Sequence, residues 1–213
     1  MPAGVSPFVR TVIAALGIYD DRTWASRLAA LEKQAAGTDG DGLDDNRFWI
    51  LADWRFRRFV CLWLETGESD ESKNWAAMLR AIDPVGNAGD ALQLSELLRR
   101  VATAVETGPA AHSVFGIPKG PTAQLVGRAA KGARACAQPG DAHGEAWFDA
   151  RAAKHLREEE FSSFRGFGRL AGKDDELWKL IGELITGLPP ASTSPASDES
   201  IEAWLDDIPR DLP

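Results

Sequence analysis

Cysteine is scarce in this chain: two in 213 residues, Cys61 and Cys136, each inside an apolar helical pattern. That number and placement argue against a disulfide-stapled scaffold and predict two buried thiols in a reducing compartment. Long apolar runs are missing as well. No stretch approaches the roughly 20 apolar residues of a helical membrane span, and the opening MPAGVSPFVR lacks the charged-then-apolar order of a signal peptide. A cytoplasmic protein with no membrane partner is the expectation. The sequence shows no internal repeat and no sustained alternation of apolar and polar residues, so neither a solenoid nor a sheet is predicted.

What the chain has is apolar bulk in large rings. Hydrophobic residues make up 44% and charged residues 26%, ordinary globular proportions, but eight Trp accompany a single Tyr. A body of this length buries enough apolar surface to fold without staples. Charge is uneven along it. Residues 1–118 carry 12 basic and 16 acidic side chains, residues 119–173 carry 10 and 6, and residues 174–213 carry 2 and 10. A basic middle followed by an acidic end points to an electrostatic partner, or to the end covering the middle in cis.

Helix signals recur throughout, and the fold class they predict is all-α, a helical bundle of about eight helices. Ser6-Pro7 opens a first segment and Gly17 closes it; Asp20 or Asp21 caps a second, carrying Trp24, Leu28 and Leu31 up to Gly37. Residues 45–66 are apolar nearly all round, which predicts a central buried helix. Its Arg55, Arg57 and Arg58 read as residues covering apolar rim or pairing with acids, in preference to a nucleic-acid face. Further helices are expected from Ser69 or Asp70 to Asp83-Pro84, over 90–107 with Leu94, Leu97, Leu98 and Val101, and from a Thr122 cap to about Ala137. In this last one Arg128, Lys131 and Arg134 share one flank and Leu125, Ala129, Ala133 and Cys136 another. Asp174 caps a final body helix that Gly187 ends. The domain reading is therefore a helical domain over 1–187, a Pro/Ser/Ala linker over 188–198, and an acidic amphipathic peptide over 199–213.

Motifs of chemistry are incomplete wherever they begin. Asp39 and Asp41 hold the first and third positions of a calcium loop, but Leu43, Asp44 and Ile50 occupy its fifth, sixth and twelfth. His143 and Glu145 form half of a zinc deaminase signature whose cysteine half is absent. GIPKGPT has glycines and Lys119 before a helix start, with spacing that is not a Walker loop, leaving only a helix-start anion contact. FSSFRGFGR follows part of the RNA-recognition octamer and then departs at Arg169; what remains is Phe167 for stacking with Arg165 and Arg169 for phosphates. No catalytic residue, metal ligand or cofactor is assigned from these patterns.

The peptide at 199–213 is the most specific feature. Ile201, Trp204, Leu205 and Ile208 fall at i, i+3, i+4 and i+7, with Glu202, Asp206 and Asp207 around them, until Pro209 stops the turn. Asp206-Asp207-Ile208-Pro209 resembles the acidic tip of bacterial single-strand DNA-binding proteins, which recruits repair partners; that tip ends on a terminal Phe, whereas Arg210-Asp211-Leu212-Pro213 follows here. A helix this short forms only when docked. The expectation is a non-catalytic accessory or adaptor protein that engages a protein partner, or its own body, through Ile201, Trp204, Leu205, Asp206, Asp207 and Ile208. The alternative is nucleic-acid binding by segment 119–173, through Lys119, Arg128, Lys131, Arg134, Arg165, Phe167 and Arg169, with the acidic tail as competitor. A third is a small helical enzyme using His112, His143 or His155.

Overall fold

The most apolar stretch of the sequence forms an axis against which the other helices pack. Asp44–Asp53 (α1), a five-residue π-helical turn Trp54–Arg58, and Phe59–Glu65 (α2) run on without a break in helical backbone. The computed structural model describes residues 4–10, 29–65, 70–107, 119–137 and 174–188. Around the axis stand Asp70–Ala81 (α3), Ala88–Thr107 (α4), Lys119–Ala137 (α5) and Asp174–Thr186 (α6). Residues 7–10 and 29–34 are also helical, and the described residues contain no strand. The described residues are all-α as the periodicity predicts; Gly17, Asp20, Asp21, Trp24 and Leu28 lie outside them.

Three of these helices pack directly on the axis and the fourth packs on one of them. α6 packs on α1, α3 on α2 and the π turn, and α5 on the π turn and α2, while α4 lies along α5. One contiguous apolar core results, running from Val5 and Phe8 through Phe48, Leu51, Trp54, Phe59 and Leu64 to Leu98, Val126 and Leu184. The π turn was not foreseen. In it the Phe59 N–H donates to the Trp54 carbonyl, and Trp54, Phe56 and Arg57 are all buried.

Buried ion pairs hold the axis in place. The Asp53 carboxylate accepts from Arg57 Nε and Nη2 at 2.5 and 2.8 Å and from the Val85 N–H at 2.9 Å, fastening the loop after α3 to the π turn. Arg58 donates to Glu183 of α6 at 2.6 Å, and at the surface an exposed pair joins Arg80 of α3 to Glu65 of α2 at 2.6 Å. Arg55 lies with its guanidinium carbon 5.2 Å from the Phe56 ring centroid. The arginines of the central helix are thus structural, as expected.

The start of α1 and the end of α6 form one knot. Arg47, with 0% of its side chain exposed, donates to both Asp41 and Asp44 and, through Nε, to the Leu184 carbonyl at 2.8 Å. Asp44 also accepts from the Ser6 hydroxyl at 2.8 Å, and that hydroxyl accepts from the Val9 N–H at 3.2 Å, so Ser6 caps the first segment as its position predicts. Gly37 and Gly187 stop their helices with φ of +96° and +65°. Asp41, the third position of the broken calcium loop, accepts from the Leu43 N–H and pairs with Arg47.

Two helix starts differ from expectation. α5 begins at Lys119, three residues ahead of Thr122, because Pro121 needs no N–H partner in a first turn. Thr122 is therefore inside the helix, and its hydroxyl accepts from the Trp63 indole at 3.3 Å. α4 begins at Ala88, where Asn87 accepts from the Gly89 and Asp90 N–H groups and Asp90 in return accepts from Gly86 N–H.

Candidate functional site

The α4/α5 hairpin carries the only expected contact residues whose side chains the structure describes. The two helices run antiparallel, with Ser95 against Ala130 and Ala102 against Gly127 along one seam. Small side chains let them approach. The Ser95 hydroxyl donates to the Ala130 carbonyl at 2.8 Å, and a Cβ built on Gly127 would meet Ala102 Cβ at 4.0 Å.

Helical spacing splits α5 as the sequence predicts. Ala129, Ala133 and Cys136 are buried and Leu125 half-buried, while Arg128, Lys131 and Arg134 are exposed. On the exposed side a groove of about 410 Å³ opens between the helices. Ala102, Ala123, Gly127 and Ala130 lie along it, Arg99, Lys131 and Arg134 stand at one end, and Thr103, Glu106 and Gln124 at the other. Arg128 lies outside it. Lys131 and Arg134 have no carboxylate within ion-pair distance among the described residues.

Arg99 is the residue that sequence reasoning missed. It stands on α4, in a segment of net negative charge, and only the antiparallel pairing brings it opposite Lys131 and Arg134. Its guanidinium donates to Glu96 at 2.7 and 3.1 Å, and Arg100 joins at 3.2 Å. The Arg99 hydrogen bond holds the Glu96 carboxyl below its ordinary range, and Glu96 in turn raises the guanidinium. Both stay charged at neutral pH. Ser95 and Thr103, the hydroxyls in the groove, commit their protons to the Ala130 and Arg99 carbonyls, which leaves the cations Arg99, Lys131 and Arg134 as the groups that could meet an anion or an acidic side chain.

The remaining expected residues are not brought together by the described structure. Arg165, Phe167 and Arg169, the peptide residues Ile201, Trp204, Leu205, Asp206, Asp207 and Ile208, and His112, His143 and His155 lie outside the described residues; Lys119 is the first residue of α5, with no side-chain position described. Among the described residues no three His, Cys, Asp or Glu side chains gather as metal ligands would. No described helix is long and apolar enough to cross a membrane. Cys61 and Cys136 are both free thiols and both buried.

No protein-family model matches the chain, and comparison with curated proteins and with solved structures gives no match.

Proposed function

We propose that this chain is a non-catalytic helical accessory protein that engages a protein partner through its acidic amphipathic segment 199–213. The observation that carries the reading is the clamped end of α6. Arg47 holds the Leu184 carbonyl, the Gly187 N–H donates to Glu183, and Gly187 turns the chain out against Leu43. Whatever follows Leu188 leaves from a fixed point, and its Pro/Ser/Ala composition over 188–198 makes a leash for the four apolar anchors beyond. Four such anchors contribute roughly 1.5–3 kcal/mol each, less the roughly 2–5 kcal/mol of ordering the segment, an affinity on the order of micromolar. The two buried thiols fit a cytoplasmic setting.

Affinity purification with the full chain and with residues 190–213 removed tests the proposal. Removal is expected to leave the helical fold in place, since the knot ends at Gly187, and to abolish retention of a partner. If every retained protein survives the deletion, the proposal fails.

A second reading is nucleic-acid binding through segment 119–173. It is favoured by the exposed flank of Arg128, Lys131 and Arg134 with Arg99 beside it. Phosphate contacts make such binding steeply salt dependent. Gel shifts with single- and double-stranded DNA and RNA at two salt concentrations decide it; no shift by the tail-less chain rejects it.

A further inference from the structure

We infer that the groove between α4 and α5 is the resting seat of the chain's own segment 199–213, which makes the docking peptide self-masked until a partner displaces it. The inference rests on the reading of that segment as a docking peptide and adds where it lies when no partner is bound.

Size fits first. From Ser95 to Glu106 the groove follows 12 residues of α4, about 16 Å at the helical rise, and the anchors Ile201 to Ile208 would span about 10 Å as a helix. Ala102, Ala123, Gly127 and Ala130 leave space above the helix backbones for branched and indole side chains. A groove made only for phosphate has no use for such a floor; an amphipathic helix does.

Charge then gives the direction. Asp206 and Asp207 lie toward the end of the peptide helix, and Arg99, Lys131 and Arg134 stand at one end of the groove. Seating the aspartates there puts the helix start, with its positive dipole end, beside Glu106 at the other. Glu106 and Glu96 within the same surface disfavour a polynucleotide, whose charge has one sign along its whole length.

The leash reaches. α6 ends against Leu43, and the axis runs 20 residues to Trp63, whose indole meets Thr122 at the end of the groove where the peptide helix would start, a distance of about 30 Å. Rounding α5 adds about 10 Å, and the 13 steps from Leu188 to Ile201 extend to about 45 Å, so the leash is long enough when nearly extended. Tethering makes the docking intramolecular, so its extent does not depend on protein concentration.

Zero-length carbodiimide coupling in the full chain tests this, because Lys131 is the one groove cation that can form an amide with a carboxylate. The expected product, mapped by mass spectrometry, joins Lys131 to Asp206 or Asp207 within one chain, with a yield independent of protein concentration. Arg99→Glu with Arg134→Glu, both at exposed positions, should lower that yield about tenfold, the factor two exposed ion pairs supply. Coupling of the tail only to lysines elsewhere, coupling between chains, or no tail amide at Lys131 overturns the inference. So does a single-stranded oligonucleotide that protects Lys131 in a chain showing no tail amide, which would assign the groove to nucleic acid. The recruitment reading fails separately, when removal of residues 190–213 costs the chain no partner.

Discussion

Arg47 and Leu184, 137 residues apart in the chain, meet through a buried hydrogen bond of 2.8 Å from Nε to the carbonyl oxygen. The last turn of a helix leaves carbonyls without intrahelical partners, and this guanidinium reaches both Leu184 and, at 3.3 Å, Ile185. Its remaining donors go to Asp41 and Asp44, so one side chain neutralises the opening of α1 and closes the end of α6. Arg47→Met should therefore cost about 3 kcal/mol in urea unfolding, through two stranded carboxylates and an unsatisfied helix end. Arg47→Lys should recover only part of this, because one ammonium cannot match a planar fork of donors. A loss under about 1 kcal/mol, the worth of an exposed pair, would contradict the assignment.

The same knot sets a pH dependence. The hydrogen bond from Arg47 holds the Asp41 carboxyl below its ordinary value, against a smaller opposing effect of burial. A carboxylate depressed in the folded state adds stability that is present above its unfolded pKa, about 3.9, and is lost as pH falls through the lower folded value. The stability gap between the parent and Asp41→Asn should be constant above about pH 5 and close below about pH 4. Unfolding midpoints measured across that range check it; a gap that closes near neutrality would point to another group.

How much of this was legible in the sequence depends on whether the cause was local. Periodicity placed the central helix within a residue of its bounds and separated Ala129, Ala133 and Cys136 from Arg128, Lys131 and Arg134, because both follow from 3.6 residues per turn. Asp41 and Arg47 carry no periodic sign of their pairing with α6, whose end lies more than a hundred residues away. Arg99 carries no such sign either, since only the packing of α4 on α5 sets it across from Lys131 and Arg134. The π turn leaves no composition mark at all, since Trp54–Arg58 would suit an α-helix equally well.

Asp53 and Arg57 give a second test of buried charge. With 3% and 8% of their side chains exposed, neither has water as a substitute partner. Asp53→Ala should cost about 3–5 kcal/mol by leaving the guanidinium unpaired and freeing the Val85 N–H. The double variant with Arg57→Met should be less destabilised than that single one, as replacing a whole buried pair by apolar bulk is often near neutral. Additive losses in the double-mutant cycle would show that the pair does not act as a unit.

Cys61 should be inert in the folded chain. Burial pushes its thiol up to about 12, against the smaller opposing influence of Arg80 and Arg57, and only the thiolate is a nucleophile. Alkylation at pH 8 should therefore follow unfolding, negligible in buffer and rising through the urea transition. Rapid labelling of Cys61 in native buffer would mean that α2 opens locally.

Two glycines on α5 separate helix propensity from packing. Replacing glycine by alanine inside an exposed helix gains up to about 1 kcal/mol, and at Gly127 the new methyl would sit 4.0 Å from Ala102, an ordinary contact. Gly127→Ala should therefore raise the melting temperature. At Gly132 the same methyl would overlap the Phe56 ring edge at Cε1, and Phe56 is buried in the π turn. Overpacking of that kind costs about 1–3 kcal/mol and overrides the propensity gain, so Gly132→Ala should be destabilising. Phe56→Leu, which removes the clashing edge, should cost less in the Gly132→Ala background than in the parent, because the methyl then fills space that the ring vacates. Equal effects of alanine at the two positions would mean that α5 does not close on the π turn through Gly132.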